Sequence, residues 1–218
     1  MTARRARAML AAGLVVAGCA ALASAADSAS DAPEASAVAV AEFKDAPSYR
    51  EALARWHDAQ DINAWIGARF RYDLARAMLL SETQRQKNGR LPILAPEAFF
   101  AAPSGVCVDL SRFAVETLQV IDPTAKATYL MIEFDPVAIG GNMLRRHWVA
   151  AFEVDGQRYF FADSKRPGHI AGPYASTQEF IADYARYRGR RIVAFSETPS
   201  YEHKARALAV MQERDARP

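Results

Sequence analysis

The chain reads as an α+β protein, and three observations carry that reading. Apolar residues recur at helical spacing through the first half of the folded region. The period changes to strand-like runs near residue 127. An Asp155-Gly156 turn pair then folds one β-rich run back on the next. With 218 residues, 51% hydrophobic and 24% charged, the composition is that of a globular chain with one sizeable core. A formal charge of +2 without a long Lys/Arg run gives no electrostatic footprint for nucleic acid. Two cysteines exclude a disulfide framework and a four-thiolate zinc site.

The first 25 residues have the layout of an export signal. Arg4, Arg5 and Arg7 form a positive start, Ala8 to Ala23 is uncharged and apolar, and Ala23-Ser24-Ala25 offers small residues for cleavage. Removing this segment takes away three Arg and no acid, so the charge falls from +2 to −1. Val16-Ala17-Gly18-Cys19 resembles a lipobox, which makes Cys19 a candidate lipidation residue. Simple secretion and lipidation both stay open. The expected location is outside the cytoplasm, as a periplasmic protein or an outer-membrane lipoprotein, with membrane attachment only if Cys19 is acylated. Residues 26–42, rich in Ala, Ser and Pro without an aromatic, read as a flexible tether. The folded domain is expected over residues 43–218.

Ser48 to Trp56 has the spacing of a first helix, and Asp61 is the expected N-cap of a second holding Ile62, Trp65, Ile66 and Phe70. Asp73 starts a third through Leu79 and Leu80, which frays into a polar run. Pro92 and Pro96 mark a loop. Cys107 to Val120 reads as an amphipathic helix with Val106, Leu110, Phe113, Ala114, Leu118 and Ile121 on one stripe. Ala127 to Phe134 is β-rich. His147 to Val154 and Gln157 to Ala162 form a hairpin about Asp155-Gly156. Ser176 with Glu179 makes a capping box for a helix holding Phe180, Ile181 and Tyr184. Arg191 to Phe195 is a further strand, and Ser200 to Arg214 a terminal helix.

The chemistry gathers on three residues. Once Cys19 is acylated or removed, Cys107 is the sole thiol of the exported domain. At the start of a helix a thiolate is favoured by the backbone N–H groups there. A buried, inert cysteine is the competing reading. His147 has the right acidity to serve a thiol as base. His57 and His203 lie in helices, and His169, in a Pro/Gly loop, is the rival. Carrying the hairpin register outward from Asp155-Gly156 sets His147 opposite Ser164, beside Asp163. Neighbouring strands run about 4.8 Å apart. A carboxylate at that place can bind one imidazole nitrogen and leave the other for a thiol. Asp109, two residues after Cys107, suits the positive end of the helix and reads as structural.

Together, Gly105-Val106-Cys107-Val108-Asp109, His147-Trp148 and Asp163-Ser164 resemble the bacterial transglutaminase-like superfamily. That family has G-x-C-x-D at a helix start, a His at a strand start and an Asp one hairpin later. The resemblance runs from about residue 58 to 165 and includes Ile62 to Tyr72 and Pro96 to Phe100. Trp148 follows the His directly, where the family often has a residue between, and Ser164-Lys165 stands where Pro-Thr is common. The resemblance implies a papain/transglutaminase-like α+β fold, with N-terminal helices and the nucleophile-bearing helix packed on a small antiparallel sheet. It also implies a Cys107-His147-Asp163 triad for acyl transfer on peptide, isopeptide or peptidoglycan amides. The Cys107 N–H is then an oxyanion donor and Tyr72 a further candidate donor. No cofactor and no metal are implied. A true amine-accepting transglutaminase and a noncatalytic envelope binding module on the same fold remain open beside the hydrolase. The cluster Arg186, Arg188, Arg190 and Arg191 reads as a solvated basic face. Nothing in the sequence sets the oligomeric state.

Overall fold

A computed structural model describes residues 44–89, 91–161 and 163–201. The export segment, Cys19, the tether, His203 and the terminal helix beyond Tyr201 lie outside the described residues. No helix among the described residues is long and apolar enough to cross a membrane.

The N-terminal half is helical. Helix α1 (Tyr49–Arg55) is capped by Ser48, whose hydroxyl accepts from the Glu51 N–H. Helix α2 (Ala59–Arg69) starts earlier than expected. Asp58 is the cap, accepting from the N–H groups of Gln60 and Asp61. Asp61 sits inside the first turn, where its carboxylate takes the His57 N–H at 2.9 Å and the Lys44 ammonium at 2.8 Å. A two-residue strand β1 (Arg71–Tyr72) precedes α3 (Leu74–Leu79), which Asp73 caps as expected. The polar run that follows is itself a helix, α4 (Glu82–Asn88), capped by Ser81. Pro96 marks no loop. It is the first residue of α5 (Pro96–Ala101), a position where a missing N–H costs nothing.

Strand β2 (Ser104–Gly105) pairs in parallel with β1, and α6 (Cys107–Ile121) follows at once. The predicted stripe of α6 is buried at Val106, Leu110, Phe113, Ala114 and Leu118, but so are Ser111, Val115 and Thr117 on its other sides. It is a central helix, enclosed by α1, α2 and α5 and by the sheet.

After a 3₁₀ turn (Pro123–Ala125) the described residues build a sheet of five antiparallel strands. These are β3 (Thr128–Ile139), β4 (Asn142–Val154), β5 (Gln157–Phe161), β6 (Ala171–Tyr174) and β7 (Ile192–Thr198), in the order β6-β5-β4-β3-β7. Helix α7 (Thr177–Arg188) lies between β6 and β7 in sequence, capped by Ser176. The hairpin of β3 and β4 is longer than expected. It runs out to Gly140-Gly141, both at positive φ, so His147 lies within β4 and does not begin it.

The sheet divides two cores. On one face Tyr129, Ala150, Phe152 and Phe161 pack with the N-terminal helices and α6. On the other, Leu130, Ile132, Phe134, Val149, Ala151 and Phe160 pack with Phe180, Ile181 and Tyr184 of α7. The period-2 alternation of β4 sends odd-numbered residues to α7 and even-numbered ones to α6.

Candidate functional site

Cys107 is the first residue of α6 and is buried. Its turn is pinned by Asp109, a carboxylate without solvent exposure. Asp109 Oδ2 accepts from the Val106 N–H at 3.1 Å and from Arg76 Nε at 2.7 Å. Its Oδ1 accepts from the Leu94 N–H at 2.9 Å and from Arg76 Nη2 at 2.8 Å. One side chain thus ties the helix start to α3 and to the segment before α5. The structural reading of Asp109 is the one the contacts support. Gly105 is needed for the same reason, since a Cβ there would lie 3.0 Å from Asp109 and 3.1 Å from Phe99. Within α6 the first-turn amides, Cys107's among them, have no intrahelical acceptor, the usual state of a helix N-terminus. Tyr72 opposes Gly105 in the β1–β2 pair and is half-buried beside Val106 and Val108.

His147 pairs with Ile132 across β3 and is buried. Its ring faces α7, stacked on Tyr184 with centroids 5.9 Å apart at 18°, with Phe134 6.4 Å away. The hairpin register is the one the turn predicted: Ala150 opposes Phe161 and Val154 opposes Gln157. β5 stops at Phe161, so the flank of β4 beyond Ala150 is met by a loop and not by a strand. Asp163 opens that loop, and its Oδ1 lies 3.4 Å from His147 Nε2. This is close enough for charge pairing, though longer than a tight hydrogen bond. Nε2 is therefore the nitrogen that faces the carboxylate, and Nδ1 is the one left over.

The loop holds its shape through local bonds. Asp163 Oδ1 accepts from the Lys165 N–H at 2.9 Å, and the Arg166 and His169 N–H groups bond back to Asp163 and Arg166 carbonyls. Gly168, at φ +82°, presses its backbone on Gly67 of α2, where an added Cβ would come within 2.7 Å. Burial pushes the Asp163 carboxyl up. The His147 imidazole, the Arg188 guanidinium and the Lys165 N–H outweigh it and hold the group well below the usual carboxylate range. Both His147 ring nitrogens, Asp163 Oδ2 and the Ser164 hydroxyl are buried without a hydrogen bond. Such a group of unsatisfied polar atoms is expensive in a folded interior and common where chemistry is done.

The structure thus brings His147 and Asp163 together. The turn that carries Cys107 meets β4 one residue further on, where Val106 and Val108 share an apolar cluster with Ala77, Tyr72 and Trp148. Alternation turns Trp148 toward α6 and His147 toward α7, and no hydrogen bond links either His147 ring nitrogen to the Cys107 thiol. The rival His169 ends the Asp163 loop and is exposed, with burial and Arg166 lowering its pKa, and His57 is exposed at the α1–α2 junction.

Sequence reasoning missed three residues near this site. Arg76 lies 33 residues from Asp109, and no local spacing announces that pair. Tyr184 and Arg188 were in view as a core residue and a basic-face residue, yet they are neighbours at i, i+4 on α7. The basic cluster does not form one solvated face: Arg186 and Arg191 are exposed and Arg190 half-buried, while Arg188 is buried.

A family model described as a transglutaminase-like domain matches residues 52–192, about two thirds of the chain and wider than the motif-bearing stretch. A search of curated proteins finds no match. Among solved structures the chain is similar to calcium-bound LapG of Legionella pneumophila. The identity is 15%, the TM-score is 0.37, and the match covers 72% of this chain and 78% of that one.

Proposed function

The chain belongs to the transglutaminase-like domain family, and on that premise we propose that it is a thiol-dependent acyl-transfer enzyme that hydrolyses peptide, isopeptide or peptidoglycan amide bonds. The observation that carries the proposal is the buried His147–Asp163 pair with its unsatisfied ring nitrogens, set on the strand that the Cys107 helix packs against. In this reading the Cys107 thiolate attacks the amide carbonyl, forming an S–C bond. His147 carries the thiol proton on Nδ1 and delivers it to the leaving nitrogen as the C–N bond breaks. Water then attacks the thioester, its proton passes to Nδ1, and the thiolate leaves. Asp163 accepts from Nε2–H, which fixes the tautomer and steadies the imidazolium. The Cys107 amide is a donor to the oxyanion, and Tyr72 is placed beside that turn as a second candidate. The export segment supports a periplasmic or outer-membrane lipoprotein location for this activity.

The test is the rate of Cys107 alkylation by iodoacetamide across pH on the full chain, beside His147→Ala and Asp163→Asn. A thiolate–imidazolium pair labels rapidly down to about pH 5, and the His147→Ala variant loses that acid reactivity. Amide cleavage in that variant falls by about 10²–10⁴. Labelling that rises only near about pH 8.5 in all three proteins, the range of an ordinary thiol, would leave a noncatalytic binding module. An added amine that competes with water for the acyl-enzyme would identify a true transglutaminase.

A further inference from the structure

We infer that Tyr184 and Arg188, one turn apart on α7, are the positioning pair of this site, holding the His147 ring and the Asp163 carboxylate in the orientation acyl transfer needs. The inference rests on the acyl-transfer reading above and assigns it two residues outside the triad.

The geometry begins with the ring. His147 lies against Tyr184 in a stacked contact and beside Phe134 at 52°. Tyr184 is itself fixed, because Arg188 Nη1 donates to its hydroxyl at 2.6 Å. The same guanidinium sits 5.1 Å from the Phe134 centroid and 5.5 Å from that of Tyr184. The imidazole is therefore held by two aromatic rings that share one cation. A ring in such a holder keeps Nε2 toward Asp163 and cannot swing away when it gains a proton.

The position of Arg188 needs an explanation of its own. It is the last residue of α7, where a basic side chain favours the helix dipole from solvent, as exposed Arg186 can. Arg188 is instead 8% exposed. Burying a guanidinium is costly unless a charge answers it. The buried charge within its influence is Asp163, which feels Arg188 as well as His147.

The charge count then has a chemical meaning. An imidazolium facing an uncompensated buried carboxylate would hold its proton too tightly to deliver it to a leaving amine. With Arg188 beside the pair, the carboxylate that orients Nε2 has a second cation to answer. The titratable and charged groups around this pair are Asp163, Lys165, Arg166 and His169 of the loop, Tyr184, Tyr187 and Arg188 of α7, with Arg166 over the Tyr187 ring, and Arg190, whose guanidinium lies over Phe134.

The test is the pH profile of Cys107 alkylation on the full chain for the native protein, Arg188→Met, Arg188→Lys and Tyr184→Phe, each checked by circular dichroism. The native profile should show an acid step for thiolate formation and a second step as the imidazolium loses its proton. Loss of the Arg188 charge removes a cation that favours thiolate and disfavours imidazolium. Both steps in Arg188→Met should therefore move upward by about half to one pH unit, a roughly three- to tenfold slower reaction on the acid limb. Arg188→Lys should return the steps toward the native values. Tyr184→Phe keeps the stacked ring but releases Arg188, and should shift both steps the same way by less. A packing role alone would not separate Lys from Met, so equal shifts in those two variants overturn the inference. A native profile reproduced by Arg188→Met overturns it as well. Where Arg188→Met fails to fold, a Tyr184→Phe profile superimposed on the native one does the same. A native protein with no acid step overturns the acyl-transfer reading itself, before any variant is compared.

Discussion

Asp109 accepts four hydrogen bonds from three separate segments, two of them from one guanidinium. Arg76 answers with a bidentate fork, the arrangement that matches a carboxylate best. Removing one member of such a pair leaves the other partly buried without its partner. Asp109→Ala should therefore cost about 3–5 kcal/mol, read as a lower urea midpoint with an unchanged slope. At this scale the sequence was informative about types and silent about partners. Cys107, His147 and Asp163 could be named because each stands at a recognisable place: a helix start, a hairpin strand, the end of that hairpin. Arg76 could not be paired with Asp109, because the contact is made by packing α3 against α6, and no periodicity encodes it. Arg188 was misjudged because its neighbours in sequence are solvated arginines, and only the face of α7 it occupies distinguishes it.

At the scale of elements, the loop from Asp163 to His169 is shaped by its local hydrogen bonds and seated on α2 by one close backbone contact. Gly168 combines a left-handed conformation with an approach to Gly67 that leaves no room for a side chain. Gly168→Ala should destabilise the fold by about 1–3 kcal/mol, seen in thermal or urea unfolding. It should also weaken acid-limb alkylation of Cys107, because the loop sets the place of Asp163. The elements that sequence reading found are those with strong local signals: the helical spacing of α1, the Asp73 start, the α6 stripe, the Asp155-Gly156 turn and the Ser176 cap. Those it missed lack them. α4 has no buried residue and so no apolar stripe, although Ser81 and Gln84 have capping-box spacing. The outer arm of the β3–β4 hairpin is hidden by a break in register between Glu133 and Val137, where Pro136 can donate no ladder bond. β6 is four residues long and contains both Gly and Pro.

For the whole molecule, Asp163 links the site to acid stability. Its carboxyl is held below its ordinary value in the folded protein, so the unfolded chain binds the proton first as pH falls. The stabilisation is present above about pH 4 and is lost as pH drops below it. Asp163→Asn should flatten that acid loss in urea melts taken from about pH 5 downward, with the native protein showing the steeper decline. The two-core arrangement was only half legible. The N-terminal helices and their side of the sheet followed from the sequence. α7 was foreseen as an element, but its cover of the opposite face was not, because residues on both faces of β4 are apolar and alternation gives no sign of which layer each one meets.

The long β3–β4 hairpin has a consequence for how the chain acquires its structure. Its strands join through a two-residue glycine turn, so their pairing closes a short loop. The β7 strand must return to β3 from some sixty residues further on, and α4 reaches Asn142 and Met143 across a similar span. Closing a short loop costs less entropy than closing a long one, so the hairpin is the part of the sheet best suited to form before the rest docks. A substitution in the paired stretch of its β4 strand, Val149→Ala, opposite Leu130 of β3, should slow refolding in stopped-flow experiments. One in β7, Phe195→Ala, should leave the refolding rate nearly unchanged and hasten unfolding. The reverse pattern would mean that the sheet is assembled from its edges inward.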